Sequence, residues 1–187
     1  MANLFDPRPY QREDLQETRR LYEEGHNRLL YHAATGLGKG VFATFLVEAF
    51  PRLMEEGMLV IVPRREIAFQ IRDNFRDQYP SLSVSIEMGS YFADGDEDVI
   101  IVSSHTLGRR DSDRIERFLT EYGILVNDEA HHTYTGGSHD NVLSWFGQGA
   151  ELNESLGNVQ PLTVHMTATP EREDEHSLAP FCDRRIA

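Results

Sequence analysis

A glycine-rich segment, A-T-G-L-G-K-G at residues 34–40, constrains the fold more than any other part of this sequence. Residues 27–33 before it predict a short buried strand, and the apolar residues 41–50 after it predict a packed helix. A glycine loop between a strand and a helix directs backbone N–H groups and the positive end of the helix dipole at phosphate oxygens. The segment therefore predicts a site for a nucleoside triphosphate, whose terminal phosphates Lys39 can reach. The loop residues predicted to surround the phosphates are Thr35, Gly36, Leu37, Gly38, Lys39 and Gly40.

The loop departs from the common phosphate-binding pattern G-x-x-x-x-G-K-[ST] at two positions. Ala33 stands where the first glycine is usual, and Gly40 stands where a serine or threonine hydroxyl would help to hold Mg²⁺. We therefore expect weakened Mg²⁺-dependent nucleotide binding, because the metal must rely on other ligands. Taken alone, a loop of this kind is equally consistent with a functional nucleotide site and with a degenerate one.

A second pattern, I-L-V-N-D-E-A-H-H at residues 124–132, is an apolar strand that ends in two carboxylates. Asp128 can hold Mg²⁺ directly or through water, and Glu129 can polarise the water that attacks the terminal phosphorus. The alternative is that both residues cap a helix after a core strand. The glycine loop upstream favours the chemical interpretation.

Strand and helix patterns alternate along the chain, which predicts an α/β fold with a mainly parallel sheet and helices on both faces. Strands are predicted at residues 28–31, 58–62, 83–87, 99–103, 123–127 and 162–166. Helices are predicted at residues 12–24, 39–51, 65–78, 112–122 and 141–146.

Length and composition fit one domain with a full core, since 40% of the 187 residues are hydrophobic. There is one cysteine, Cys182, no run of eighteen apolar residues and no signal-peptide pattern. These features favour an intracellular soluble protein, cytoplasmic or associated with the nucleoid or nucleus, with no membrane partner.

Five motifs occur in a fixed order: R-P-Y-Q at 8–11, A-T-G-L-G-K at 34–39, P-R-R-E-I-A at 63–68, D-E-A-H at 128–131 and T-A-T-P at 167–170. In this order they resemble the N-terminal RecA-like ATP-binding domain of superfamily 2 DEAD/DEAH-type helicases. Within that superfamily they look most like the DNA-repair and type III restriction motor branch. The resemblance spans residues 8–172. It implies one RecA-like P-loop NTPase domain over residues 1–187, with ATP and Mg²⁺ as cofactors.

The resemblance also assigns nucleotide and coupling roles. Gln11 matches the glutamine that reads adenine, and Arg8 matches a residue that lies against the base or the phosphates. Lys39, Asp128 and Glu129 match the catalytic residues, with Asp128 the metal ligand. His131, Thr167 and Thr169 match the residues that couple the nucleotide state to a second motor domain, although an ordinary turn after a strand is the alternative for the threonines.

A further set of positions matches segments that contact the nucleic-acid backbone in the family. These are Pro63, Arg64, Arg65, Ser103 and Thr106. Solvated surface arginines are nearly as good an interpretation of Arg64 and Arg65 in a single sequence. The implied partner is DNA in preference to RNA. The net charge of −13 opposes this, so we expect weak, strongly salt-dependent binding by this domain.

The family's motors combine this domain with a second RecA-like domain that supplies an arginine finger, which the resemblance places outside residues 1–187. Such a finger contributes roughly 10³ to 10⁵ in rate, so these residues alone are predicted to be essentially inactive. Two functions remain open. One is the ATP-binding half of a nucleic-acid helicase or translocase; the other, favoured by Gly40, is a nucleotide-responsive binding or scaffold module with decayed hydrolysis.

Overall fold

The chain folds as alternating strands and helices in a computed structural model that describes residues 6–34, 36, 38–109, 113–118, 122–150, 161–169 and 178–186. The helices are α1 (Pro9–Glu23), α2 (Lys39–Ala49), α3 (Arg65–Gln78), α4 (Ser104–Leu107) and α5 (Ser138–Trp145). The strands are β1 (Arg28–His32), β2 (Met58–Val62), β3 (Val84–Glu87), β4 (Val99–Ser103), β5 (Ile124–Asn127), β6 (Leu162–Thr167) and β7 (Arg184–Ile186). Short 3-10 turns lie at Leu53–Glu56, Asp113–Arg117, Ala130–His132 and Ala179–Phe181.

The strands form one seven-stranded sheet in the order β3-β4-β2-β5-β6-β1-β7, and every strand pairing in it is parallel. The central strands β2 (M-L-V-I-V) and β4 (V-I-I-V-S) are buried along their whole length, as continuous apolar runs are in parallel sheets. Because all strands run the same way, their carboxyl ends meet at one edge of the sheet. Ligands bind at this edge in open α/β sheets.

Helices cover both faces of the sheet, as the sequence predicted. Residues such as Phe42, Leu46, Ile71 and Phe75 of α2 and α3 pack against one face. The opposite face is covered by α4, α5 and the 3-10 turns Asp113–Arg117 and Ala179–Phe181, through the side chains of Leu107, Ile115, Val142, Leu143 and Phe181. The predicted α/β architecture is confirmed.

Four differences from the sequence prediction have physical reasons. The predicted helix at 112–122 is, in its described residues, a 3-10 turn over Asp113–Arg117. Helix α5 begins three residues before its predicted start, because Gly137 in extended conformation ends the preceding turn. Strand β7 has two exposed arginines among its three residues and therefore no apolar pattern. Helix α4, a single turn directly after β4, has no helical period of its own. No helix in the described part of the chain is long and apolar enough to cross a membrane.

Candidate nucleotide site and nucleic-acid interface

The glycine loop connects β1 to α2 at the carboxyl edge of the sheet. Ala33 N donates to Thr167 O at 3.1 Å, which fixes the start of the loop to the end of β6. Gly36 and Gly38 have φ angles of 83° and 79°, a region that glycine enters without steric cost. Lys39 is the first residue of α2, and its Nζ donates to Ala33 O at 3.3 Å. Thr35 and Leu37 lie outside the described residues.

The start of α1 lies against this loop. Gln11 is 3% exposed, and its Oε1 accepts a hydrogen bond from Arg8 N at 3.0 Å. A Cβ added to Gly38 would lie 3.3 Å from Gln11 Nε2, so the carboxamide touches the loop backbone. The predicted base-reading residue and the phosphate loop are therefore adjacent. Arg8 itself is exposed, and one guanidinium nitrogen donates to Tyr10 Oη at 3.4 Å.

Gly40 occupies the second position of α2 and faces α3. A Cβ at Gly40 would lie 3.4 Å from Ile71 Cγ1 and 3.6 Å from Asn74 Nδ2, which is ordinary van der Waals contact. The backbone of Gly40 is helical and lies outside the positive-φ region. A Cβ therefore fits here, so neither the backbone nor the packing at that atom requires glycine.

We expect Gly40→Thr to tighten Mg²⁺-dependent ATP binding about three- to tenfold, the equivalent of one added polar contact. Gly40→Ala is the matched control, because it adds the Cβ and removes the helix cost of glycine, about 1 kcal/mol, without supplying a hydroxyl. Titration calorimetry with ATP in Mg²⁺ and in EDTA measures both. Equal affinities for the Thr and Ala variants would show that the hydroxyl is not limiting.

The acidic pair lies at the end of β5, beside the loop. Asp128 is 5% exposed, and its backbone N–H donates to Ile61 O at 2.9 Å. Glu129 has φ 51° and ψ 49° and is the one non-glycine residue with positive φ among those described. Strained backbone of this kind costs of order 1–3 kcal/mol and clusters at active sites. The turn directs Asp128 into the protein and leaves Glu129 half-buried at the sheet edge.

Burial, and to a smaller extent the neighbouring charge of Glu129, together raise the pKa of Asp128 to about 6. Lys39 acts in the opposite direction, because its ammonium charge favours the carboxylate. The loop lysine and the acidic motif therefore share one electrostatic environment. This is the arrangement expected of groups that bind a phosphate and its counter-ion.

The predicted coupling residues also meet at this edge. His131 Nδ1 lies 3.3 Å from Thr167 Oγ1 and 3.3 Å from a carboxylate oxygen of Glu129. Thr167 Oγ1 donates to Thr169 O at 3.2 Å and accepts from Thr169 N at 3.1 Å. A chain of polar contacts thus runs from Glu129 to the backbone of Thr169. Thr167 is fully buried, whereas Thr169 is exposed.

A buried polar network beneath the acidic motif was missed by the sequence analysis. Asn127 Oδ1 lies 2.7 Å from His139 Nδ1, and its Nδ2 lies 2.8 Å from Thr133 Oγ1 and 3.0 Å from His165 Nδ1. Asn127 accepts from His139 and donates to the other two. Burial lowers the pKa of His139 to about 3 and that of His165 to about 4. The available signal was polar residues at alternate positions of the apolar strand β6, namely Thr163, His165 and Thr167.

The predicted nucleic-acid residues occupy two neighbouring strand ends. Pro63, Arg64 and Arg65 follow β2, and Ser103 ends β4 directly beside Val62. Arg64 and Arg65 are exposed. Ser103 is 5% exposed, so its side chain is turned away from solvent.

Thr106, on α4, is half-buried and its Oγ1 accepts from Gly89 N at 3.4 Å. The structure therefore brings these two segments together at the edge that carries the nucleotide residues. Two of the five side chains, those of Arg64 and Arg65, are exposed there.

Within the described residues, no three or more His, Cys, Asp and Glu side chains are grouped to hold a metal ion. Mg²⁺ in nucleotide sites usually keeps several waters and binds one or two carboxylates plus phosphate oxygens. A single buried carboxylate, Asp128, beside a phosphate loop fits that requirement.

Residues 4–172 match the family described as type III restriction enzyme, res subunit. The chain belongs to this family. A candidate mitochondrial ATP-dependent helicase, irc3, of Schizosaccharomyces pombe is 33% identical over 178 residues, which cover 92% of this chain and 27% of that protein. A candidate ATP-dependent helicase, IRC3, of Saccharomyces cerevisiae is 30% identical over 187 residues, 96% of this chain and 26% of that protein. The chain thus spans about a quarter of the length of these relatives.

Solved structures show the same fold. The Sulfolobus solfataricus SWI2/SNF2 ATPase core in complex with dsDNA aligns with a TM-score of 0.72 at 17% identity, over 96% of this chain and 36% of that one. The Pyrococcus furiosus Hef helicase domain aligns with a TM-score of 0.72 at 20% identity, over 96% of this chain and 37% of that one. The family match and the helicase relatives confirm the resemblance to helicase ATP-binding domains that the five motifs indicate, and the solved structures agree in fold.

Proposed function

We propose that residues 1–187 form the N-terminal, RecA-like ATP-binding domain of an ATP-dependent helicase or translocase that acts on DNA in preference to RNA. One observation carries the proposal. Lys39, the Asp128–Glu129 pair and Thr167 come from three separate segments of the chain, and the parallel sheet gathers them at one edge. The membership of the family and the helicase names of the relatives agree with it.

In this proposal the nucleotide lies across the start of α2. Gln11 contacts the adenine, and the loop amides with Lys39 hold the phosphates. Lys39 would exchange its hydrogen bond to Ala33 O for one to a phosphate oxygen. Arg8, exposed at the start of α1, can reach the base or the phosphates from outside.

Asp128 would hold Mg²⁺, which would neutralise negative charge on the phosphates. Because its pKa is raised to about 6, Asp128 would release a proton on binding a cation near pH 6. Glu129, half-buried and in a left-handed turn, orients and polarises the attacking water.

His131 and Thr167 would transmit the nucleotide state. A change in the charge near Glu129 alters the contact with His131 Nδ1, and that nitrogen also touches Thr167. Thr167 in turn holds the Thr169 peptide through two hydrogen bonds. We propose that a second RecA-like domain receives this signal, with DNA lying over Arg64, Arg65 and Thr106.

ATP-dependent strand displacement tests this function. The longest natural chain that contains this domain, given ATP and Mg²⁺, should displace a strand or a bound protein from DNA, with a smaller effect on RNA. Faster action on RNA would overturn the preference. If no strand or protein is displaced but ATP changes the affinity for nucleic acid, the chain is a nucleotide-responsive scaffold module and not a motor. Gly40 favours this alternative.

A further inference from the structure

The connection between β3 and β4 presents two aromatic side chains to solvent. Tyr91 is 40% exposed and Phe92 is 63% exposed, and they are two of the three large hydrophobic residues exposed in the described part of the chain. The connection is well defined, because Met88 N donates to Tyr91 O at 3.1 Å and Tyr91 N donates to Met88 O at 2.8 Å. The aromatic pair therefore sits on a fixed turn.

Two arginines support Phe92 from the 3-10 turn Asp113–Arg117. The guanidinium carbons of Arg114 and Arg117 lie 4.4 Å and 5.4 Å from the centroid of the Phe92 ring. Both arginines pair with the fully buried carboxylate of Glu87. Arg114 also donates to Gly89 O at 2.7 Å and to Tyr91 O at 2.9 Å. Two cations therefore share the Glu87 carboxylate beneath the Phe92 ring, while Asp113 and Glu116 of the same turn are exposed.

The turn is continuous with the segments proposed to contact the nucleic-acid backbone. Arg65 donates to Tyr91 Oη at 3.2 Å, and its guanidinium carbon lies 5.4 Å from the centroid of the Tyr91 ring. On the other side, Gly89 N donates to Thr106 Oγ1 at 3.4 Å. A ligand bound at Arg65 and Thr106 would therefore also lie close to Tyr91 and Phe92.

We propose that the Tyr91–Phe92 turn is a base-stacking site for single-stranded nucleic acid. This inference rests on the proposed function, since it extends the same track. Exposed aromatic rings beside arginines are the combination that binds unpaired bases: the ring stacks on the base, and the cations meet the phosphates. The site is sequence-tolerant, because every base has a π face.

The arginines in contact with the two rings make nucleic acid the favoured occupant, in spite of the chain's net charge of −13. The charged groups that lie over the two rings are Arg65, Arg114 and Arg117, whereas the exposed carboxylates of Asp113 and Glu116 lie on the same turn as the last two. The exposed Asp94 follows two residues after Phe92, so the attraction to phosphates is local and readily screened by salt. Stacking, which salt weakens little, would then contribute a large part of the affinity.

A two-by-two comparison tests the stacking. The longest natural chain, as wild type and as Phe92→Leu, is titrated with a single-stranded oligonucleotide and with an abasic strand of the same length and phosphate count. Leucine keeps an apolar side chain and removes the π face, and Phe92→Trp serves as the conservative variant that retains it. Because Phe92 is largely exposed, all variants should melt at the same temperature.

For the wild type and Phe92→Trp we expect the strand with bases to bind about tenfold more tightly than the abasic strand, in line with one stacked base. For Phe92→Leu the ratio of the two affinities should fall severalfold, and the affinity for the abasic strand should not change. If Phe92→Leu keeps the full difference, the stacking site is refuted while the proposed function stands. If the wild type binds neither strand at low salt, the stacking site and the proposed nucleic-acid function are both refuted. Binding of a protein partner through this turn would then show that the occupant is a protein.

Discussion

Glu129→Gln is expected to reduce ATP turnover by the longest natural chain about 10²- to 10⁴-fold, the range for loss of a positioned general base. The carboxamide is isosteric, so it occupies the same left-handed turn, but it cannot polarise the attacking water as a carboxylate does. Lys39, Asp128 and the loop remain in place. Affinity for ATP with Mg²⁺ should therefore change little while turnover collapses.

Glu55→Gln provides the matched control for this substitution. Glu55 is exposed on the 3-10 turn Leu53–Glu56, just before β2, and so lies at the amino edge of the sheet. Its change should leave both turnover and affinity unaltered. A Glu129→Gln variant that hydrolyses ATP at the wild-type rate would show that another group orients the water.

Acidification from pH 7 to pH 5 is expected to lower the free energy of unfolding by about 3 kcal/mol. His139 and His165 have folded-state pKa values of about 3 and about 4, below the ordinary value of 6.5, because burial excludes their charged forms. Between these values and pH 6.5 the unfolded chain binds protons that the folded chain does not. This contribution to stability is present above pH 6.5 and is lost as the pH falls.

Between pH 7 and pH 5, the two histidines and Asp128 change the free energy of unfolding in opposite directions. Each histidine contributes a loss of about 2 kcal/mol between pH 6.5 and pH 5. Asp128 has a raised folded-state pKa, about 6 against 3.8, so it binds its proton earlier in the folded chain and returns about 1 kcal/mol. The two histidines outweigh the one carboxylate, so acid destabilises the fold.

Urea unfolding at several pH values measures this balance. His139→Gln removes one titrating group and retains an N–H donor toward Asn127, so the loss between pH 7 and pH 5 should fall to about 1 kcal/mol. His26→Gln is the control, since His26 is half-buried and is separate from the network. If the loss in His139→Gln equals that of the wild type, His139 does not fold in its neutral form.

The parts of the fold that the sequence predicts best are those with a simple local pattern. Strands β2 and β4 and helix α3 have the bounds predicted for them, because continuous apolar runs and a clear polar helix start mark them. Strand β7 lacks such a pattern. It is held in place by Arg28, whose guanidinium lies 2.8 Å from an Asp183 carboxylate oxygen, and a pairing across 155 residues leaves no local trace.

The candidate site likewise contains residues that the sequence predicts and residues that it does not predict. Motif order predicts Lys39, Asp128 and Glu129, since each follows or ends a strand whose carboxyl end must lie at the common edge. The left-handed backbone of Glu129 and the network around Asn127 depend on tertiary contacts, so their residues look unremarkable in sequence. The Tyr91–Phe92 site cannot be predicted from the local sequence either, because Arg114 and Arg117 come from a later segment of the chain.

Steady-state ATP hydrolysis by the longest natural chain, with and without single-stranded DNA, tests the central claim most directly. The proposed motor predicts that DNA raises the turnover of the wild type and that Glu129→Gln abolishes this stimulated rate while still binding ATP. A wild-type rate that is indifferent to both DNA and RNA, or a stimulated rate that survives in Glu129→Gln, would contradict the assignment of this sheet edge as a nucleic-acid-coupled ATP hydrolysis site.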